Sequence, residues 1–181
     1  MRFTIERSRT VHRGPVFRVT VNSVRFADGL RTRLDLVRHP GAVAIAAIPA
    51  PGRILLVRQL RVAVGGSLVE LPAGTLEPGE SPRAAAGREL REETGYRARR
   101  LRKISEFYPA PGFCTELLRI YLAEDLVPAP ARPDRDERIR VENVPLPDAV
   151  RMAVRGTFRD AKSIIGTLAA ARILRAKNGA R

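Results

Sequence analysis

The chain has 181 residues, 44% of them hydrophobic, with 33 Lys+Arg against 19 Asp+Glu and a formal net charge of +14. That length is comfortable for one well-packed domain and short for two. A single cysteine, Cys114, excludes an internal disulfide and fits a reducing compartment. The charged start MRFTIERSRT lacks the apolar stretch of a signal peptide, and no run is long enough to span a membrane, so a cytoplasmic location is expected. Basic residues are scattered from Arg2 to Arg181 and aromatics make up only 5%. Without aromatic platforms for bases, dedicated nucleic-acid binding is disfavoured, and the charge fits an anionic small substrate steered by the field or has no role of its own.

From Val16 to Phe26 polar and apolar residues roughly alternate, and Ala27-Asp28-Gly29 is a turn signal before a second extended run, Leu30 to Arg38. An antiparallel hairpin is predicted, and its thin apolar content suggests that one face packs against something outside the domain. Residues 1–40 thus read as an N-terminal hairpin region and residues 41–181 as the main domain. After the break His39-Pro40-Gly41 comes a continuous apolar run, Ala42 to Ile48, which predicts a strand buried on both faces. The turn Pro49-Ala50-Pro51-Gly52 leads back into a second such strand, Ile54 to Val57. Arg58 and Arg61 stand where that strand emerges; they suit bidentate phosphate binding or the ordinary solvation of a strand end. Glu70, directly before Leu71-Pro72-Ala73-Gly74, is placed to contact a substrate or metal-bound water, or to pair with Arg58 or Arg61.

Ser81 followed by Pro82 reads as a helix N-cap with proline in the first turn, and Gly95 as a left-handed stop, which predicts one helix over Pro82–Thr94. Glu89 and Glu93 are four apart and Glu92 lies between them, so three carboxylates fall on adjoining parts of one helical face. Like charges at this spacing repel. A divalent cation would turn the repulsion into coordination, with oxygen ligands suiting magnesium or manganese. A solvated face, with Arg88 and Arg91 pairing the glutamates, is the alternative.

Beyond the helix, Leu101 to Tyr108 reads as a strand, Pro109 to Glu116 as a rigid loop, and Leu117 to Ala123 as another strand. Leu126 to Arg138, rich in Pro, Ala and charge, reads as a loop. Its acids Asp134, Asp136 and Glu137 are the only acidic cluster outside the helix region, and Ile139 and Val141 follow in a last strand. Two helices close the chain, Pro147 to Arg155 and an amphipathic one from Asp160 to Ala176 with Asp160 as its N-cap.

Gly74, Glu80, Arg88-Glu89-Leu90, Glu92-Glu93 and Gly95-Tyr96, at their spacings, resemble the signature of the Nudix hydrolase family at every fixed position. Pro111, sixteen residues beyond Gly95 in the segment Pro111-Gly112-Phe113-Cys114-Thr115-Glu116, resembles the ADP-ribose pyrophosphatase subgroup, as do Val57 to Arg61 and Glu70 to Gly74. The resemblance implies an α+β Nudix fold, a mixed sheet sandwiched between helices, that hydrolyses a nucleoside diphosphate derivative, most simply ADP-ribose to AMP and ribose 5-phosphate. It further implies Mg2+ (or Mn2+) on Glu89, Glu93 and the Ala73 carbonyl, with Glu80 bracing Arg88. Glu137 is the first candidate for the general base and Glu116 the second; Glu92 is either a ligand or a supporting acid. Arg58 and Arg61 would grip phosphate or ribose, Glu70 and Phe113 would contact substrate, and the N-terminal strands would pair two subunits in a homodimer. Another nucleotide sugar, a dinucleoside polyphosphate or NADH are alternative substrates, and a non-catalytic RNA- or nucleotide-binding module is an alternative function.

Overall fold

The hairpin expected near the N-terminus is present, but it is part of a three-stranded antiparallel sheet in the order β1 (Phe3–Arg13), β2 (Arg18–Phe26), β3 (Arg31–Arg38). No strand is expected from the sequence over Phe3–Arg13, because β1 carries register shifts between Ile5 and Arg7 and between Thr10 and His12. Each shift moves the side chains to the other face and erases the two-residue period that would betray a strand. The computed structural model describes residues 2–131 and 138–179. The chain forms two units, one of residues up to Gly41 with Tyr108–Leu117, the other of Ala42–Phe107 with residues from Leu118 onward.

In the first unit the middle strand buries Asn22, whose Nδ2 donates to the Leu34 carbonyl (3.2 Å) and whose Oδ1 accepts from Ser8 (2.8 Å). One side chain thereby ties all three strands, and burial of its amide is compensated by hydrogen bonds. The segment Tyr108–Leu117 is laced to the end of β3: Val37 N–H donates to Phe113 O (2.7 Å) and Thr115 N–H to Val37 O (2.9 Å). This lacing leaves the Phe113 side chain exposed.

The second unit is built on a seven-stranded mixed sheet. β4 (Ala42–Ala47) is buried at every residue and pairs in parallel with β9 (Leu118–Pro128), while β5 (Arg53–Arg61) runs antiparallel beside it. β6 (Gly66–Glu70) pairs with β5, and β7 (Ala73–Thr75) with β4. β8 (Tyr96–Phe107) and β10 (Ile139–Pro145) are the two edges. β4 reads as an unbroken apolar run because both its faces are covered. On one face Val43, Ile45 and Ala47 meet Ala85, Ala86 and Leu90 of α1 (Pro82–Thr94). On the other, Ala42, Ala44 and Ala46 belong to a core with Leu146, Ala149 and Ala153 of α2 (Leu146–Val154) and Ala170 of α3 (Ala161–Gly179). Helices therefore cover both faces of the sheet, as expected.

Two boundaries differ from expectation. β8 begins at Tyr96 rather than Leu101; its first half is rich in arginine because it is an edge strand, where charge is tolerated and guards against further pairing. Leu126–Pro128, read as the start of a loop, completes β9 by pairing with Tyr96–Ala98. Among the described residues no helix is long and apolar enough to cross a membrane.

Candidate active site

The ends of α1 are fixed as its sequence dictates. Ser81 Oγ accepts from Ala84 N–H (3.2 Å), and Gly95, at φ 73°, donates its N–H to Arg91 O (3.0 Å). Ala85 and Ala86 let the helix lie close on β4, and complete burial of Leu90 contributes roughly 2 kcal/mol. This docking sets the acidic residues against the segment that β4 holds as β7. Glu89 and Glu93 are only 8% and 4% exposed. Glu93 Oε2 accepts from Ala73 N–H at 3.0 Å. Glu89 lies over Gly74 so closely that a Cβ there would stand 1.8 Å from its Oε1 and 2.5 Å from its Oε2. Glycine at position 74 is thus a matter of space for the Glu89 carboxylate.

Arg88 binds this group from the outer side. Its Nε and Nη2 donate to the two oxygens of Glu80 (3.1 and 3.0 Å), Nη2 also to Thr75 O (3.2 Å), and Nη1 to Glu89 (2.8 Å) and Glu92 (3.1 Å). The expected brace between Glu80 and Arg88 is therefore in place, with a further tie to β7. The hydrogen bonds from Arg88 hold the Glu80 carboxyl below the usual glutamate value, outweighing the opposite effect of burial. Arg88 is pushed up in turn, chiefly by Glu80 and then by Glu89 and Glu92. Glu92 is the more exposed of the three helix acids and also takes a bond from Arg91 (3.0 Å).

A second charged group flanks the loop. Glu70, 2% exposed, receives Arg61 Nε at 3.1 Å and Nη2 at 2.6 Å and lies 3.1 Å from Lys162 Nζ. Of the alternatives open for Glu70, pairing with Arg61 is the one observed; Arg58 instead donates to Glu142 at 2.8 Å. Burial works against the Arg61 charge, but the hydrogen bond to Glu70 and the fields of Glu70, Glu93 and Asp160 outweigh it and raise its pKa. Lys162 escaped the sequence reading. Its only signal was its place in the first turn after the Asp160 cap, and a lysine in a helix is unremarkable until the fold sets it against a buried acid.

Ala73, Glu89, Glu92, Glu93, Glu70, Arg61 and Arg58 all belong to the second unit. Phe113 and Glu116 belong to the first. There Phe113 is 58% exposed, and Glu116 stands 3.9 Å from His39 Nδ1, which itself accepts from Gly41 N–H (3.1 Å). Glu137, together with Asp134 and Asp136, lies outside the described residues.

As arranged, no three acidic, imidazole or thiol groups among the described residues converge closely enough to cage an ion. The donor chemistry nonetheless fits a hard divalent cation. Two nearly buried carboxylates one helical turn apart offer the hard oxygen donors such an ion takes, and the cradle at Gly74 is kept open for one of them.

Residues 37–164 match the NUDIX domain model. The chain is 41% identical over 152 residues to an ADP-ribose pyrophosphatase of Bacillus subtilis, covering 83% of this chain and 82% of that one. It is 38% identical over 165 residues to an ADP-ribose pyrophosphatase of Mycobacterium tuberculosis, covering 90% and 80%. A solved structure described as an ADP compounds hydrolase superposes with a TM-score of 0.85 at 25% identity, covering 98% of this chain and 96% of that one. Fold and acidic helix together define an enzyme that hydrolyses nucleoside diphosphate derivatives. The chain belongs to the Nudix family and is a Nudix pyrophosphohydrolase, which sets aside the non-catalytic binding module.

Proposed function

We propose that this enzyme cleaves ADP-ribose to AMP and ribose 5-phosphate with Mg2+, for which Mn2+ can substitute. The observation that carries the reading is the pair Glu89 and Glu93, nearly buried and set against Gly74 and Ala73. The substrate rests on the similarity to the ADP-ribose pyrophosphatases of Bacillus subtilis and Mycobacterium tuberculosis.

A diphosphate resists attack because its oxygens repel an incoming nucleophile. Glu89, Glu93 and Glu92, with the Ala73 carbonyl, would hold the divalent cation, which when bound supplies positive charge against those oxygens. Arg61 adds its guanidinium from the side of β5, held in place by Glu70. Glu137 is assigned the proton of the attacking water, with Glu116 as the second candidate. The water oxygen bonds to one phosphorus as the bond from that phosphorus to the bridging oxygen breaks, and the bridging oxygen leaves with the other phosphate.

The three-stranded sheet is assigned to pairing two copies of the chain, because it presents Phe3, Ile5, Val11 and Leu34 at 41–65% exposure. Incubation with ADP-ribose, with and without Mg2+, followed by chromatography of the products, tests the proposal. AMP and ribose 5-phosphate formed only with the cation are expected. Turnover of GDP-mannose, a dinucleoside polyphosphate or NADH in place of ADP-ribose would move the substrate, and no turnover of any would sink the reading.

A further inference from the structure

The first turn of α3 is fastened to the chain just before the acidic site. Asp160 Oδ1 caps the helix by accepting from Ser163 N–H (3.0 Å), and Ser163 Oγ accepts from Leu71 N–H (2.8 Å). Gly166 lies so near Leu71 that a Cβ would stand 2.5 Å from Leu71 Cδ1. Within this contact Lys162 Nζ sits 2.9 Å from Asp160 Oδ1 and 3.1 Å from Glu70 Oε2. Its side chain is 13% exposed, that of Glu70 2%, and that of Arg61, which donates to the same Glu70 oxygen, 36%. Asp160 Oδ2 is buried and accepts no hydrogen bond from the described residues.

Glu70 thus holds two cations on one carboxylate, and the four groups Arg61, Glu70, Lys162 and Asp160 sum to zero charge. Without Lys162 the two carboxylates would face Arg61 alone. A net negative charge would then remain in a buried setting, where it is poorly screened, and the guanidinium would be drawn inward to compensate. An anionic substrate arriving at Arg61 would meet a weaker field.

We infer that Lys162 is a positioning residue for the diphosphate: by satisfying Glu70 and Asp160 from the α3 side, it leaves the exposed side of the Arg61 guanidinium turned to the substrate. The inference rests on the proposed hydrolysis of a nucleoside diphosphate derivative and adds to it a residue that touches no substrate.

The test is Lys162→Met in the full chain, measured by steady-state kinetics with ADP-ribose and by calorimetric binding of ADP-ribose without divalent cation. KM and the metal-free Kd should each rise about tenfold while kcat stays within about threefold, and Lys162→Arg should restore both. Because the partner left behind is a buried carboxylate, Lys162→Met is also made on Glu70→Gln, where the methionine should add little further loss of affinity. If Lys162→Met does not fold, Lys162→Gln, which keeps a donor without the charge, takes its place with the same expectation. A folded variant whose melting temperature falls but whose metal-free affinity equals wild type would reduce Lys162 to a structural role and overturn the inference. A full effect of the methionine in the Glu70→Gln background would overturn it as well. Failure of the wild-type chain to bind or turn over any nucleoside diphosphate derivative would instead remove the parent reading, and the inference with it.

Discussion

Glu89 occupies the space that a side chain on Gly74 would need: the nearest carboxylate oxygen is 1.8 Å from where the Cβ would stand. Gly74 belongs to the short strand β7, paired with Val43 of β4, while Glu89 belongs to α1. The sheet on one side and the helix on the other leave little slack, because Ala85, Ala86 and Leu90 are completely buried between them. The glycine therefore fixes where an acid on a different element can rest.

Replacing Gly74 by Ala should force the Glu89 carboxylate out of its cradle. Displacement of a catalytic group by about 1 Å costs on the order of 100-fold in rate, so kcat should fall by about that factor. Because the atoms in the way are the far end of a flexible side chain, the carboxylate can swing aside and stability should change little. Kinetics beside urea unfolding of the two proteins checks both, and an alanine variant with wild-type kcat would show that Glu89 need not lie there.

Glu93→Gln separates the charge of that residue from its structural bond. The amide oxygen can still accept from Ala73 N–H, as Glu93 Oε2 does at 3.0 Å, so the circular dichroism spectrum and cooperative unfolding should persist. Turnover should fall by about 100-fold or more, the scale of losing one group that stabilises developing charge. Near-wild-type activity at saturating Mg2+ would reject Glu93 as a ligand.

Helix α1 was legible because each of its signals is local. A serine cap, a proline in the first turn and a closing glycine are read within a few residues, and the observed helix spans Pro82–Thr94 as predicted. The central strands were legible because burial on both faces leaves a continuous apolar run at Ala42–Ala47. What the sequence concealed depends on contacts between distant segments. β1 is masked by its register shifts, β8 by the arginines of an edge strand, and the partners of Glu70 stand on other elements, Arg61 on β5 and Lys162 in the first turn of α3. No period in a sequence reports which cation will face a buried acid.

The Glu80 and Arg88 pair predicts a dependence of stability on pH. The folded-state pKa of Glu80 is lowered from the ordinary 4.5, first by the Arg88 hydrogen bonds. A lowered carboxylate contributes stability that is fully present above the unfolded value and is lost as pH falls through the folded one. Urea unfolding between neutral pH and acid should show stability dropping below the ordinary glutamate range, and Glu80→Gln should lower stability at neutral pH while flattening this acid limb. An unchanged limb in the variant would assign the acid sensitivity to other carboxylates.

Glu137 is the acid assigned to the attacking water, because the resemblance to the ADP-ribose pyrophosphatase subgroup implies a catalytic glutamate in this stretch and Glu137, two residues before Ile139, matches it best by position. A group that takes a proton in the transition state contributes typically about 100- to 10,000-fold to the rate and little to ground-state binding. Glu137→Gln should therefore depress kcat by about that range while KM for ADP-ribose changes little, because a glutamine keeps the size of the side chain but cannot serve as the base. The same measurement on Glu116→Gln discriminates the second candidate. If the loss in Glu137→Gln falls on KM alone, the residue binds substrate and the proton goes elsewhere; if Glu116→Gln shows the kcat loss instead, Glu116 takes that role.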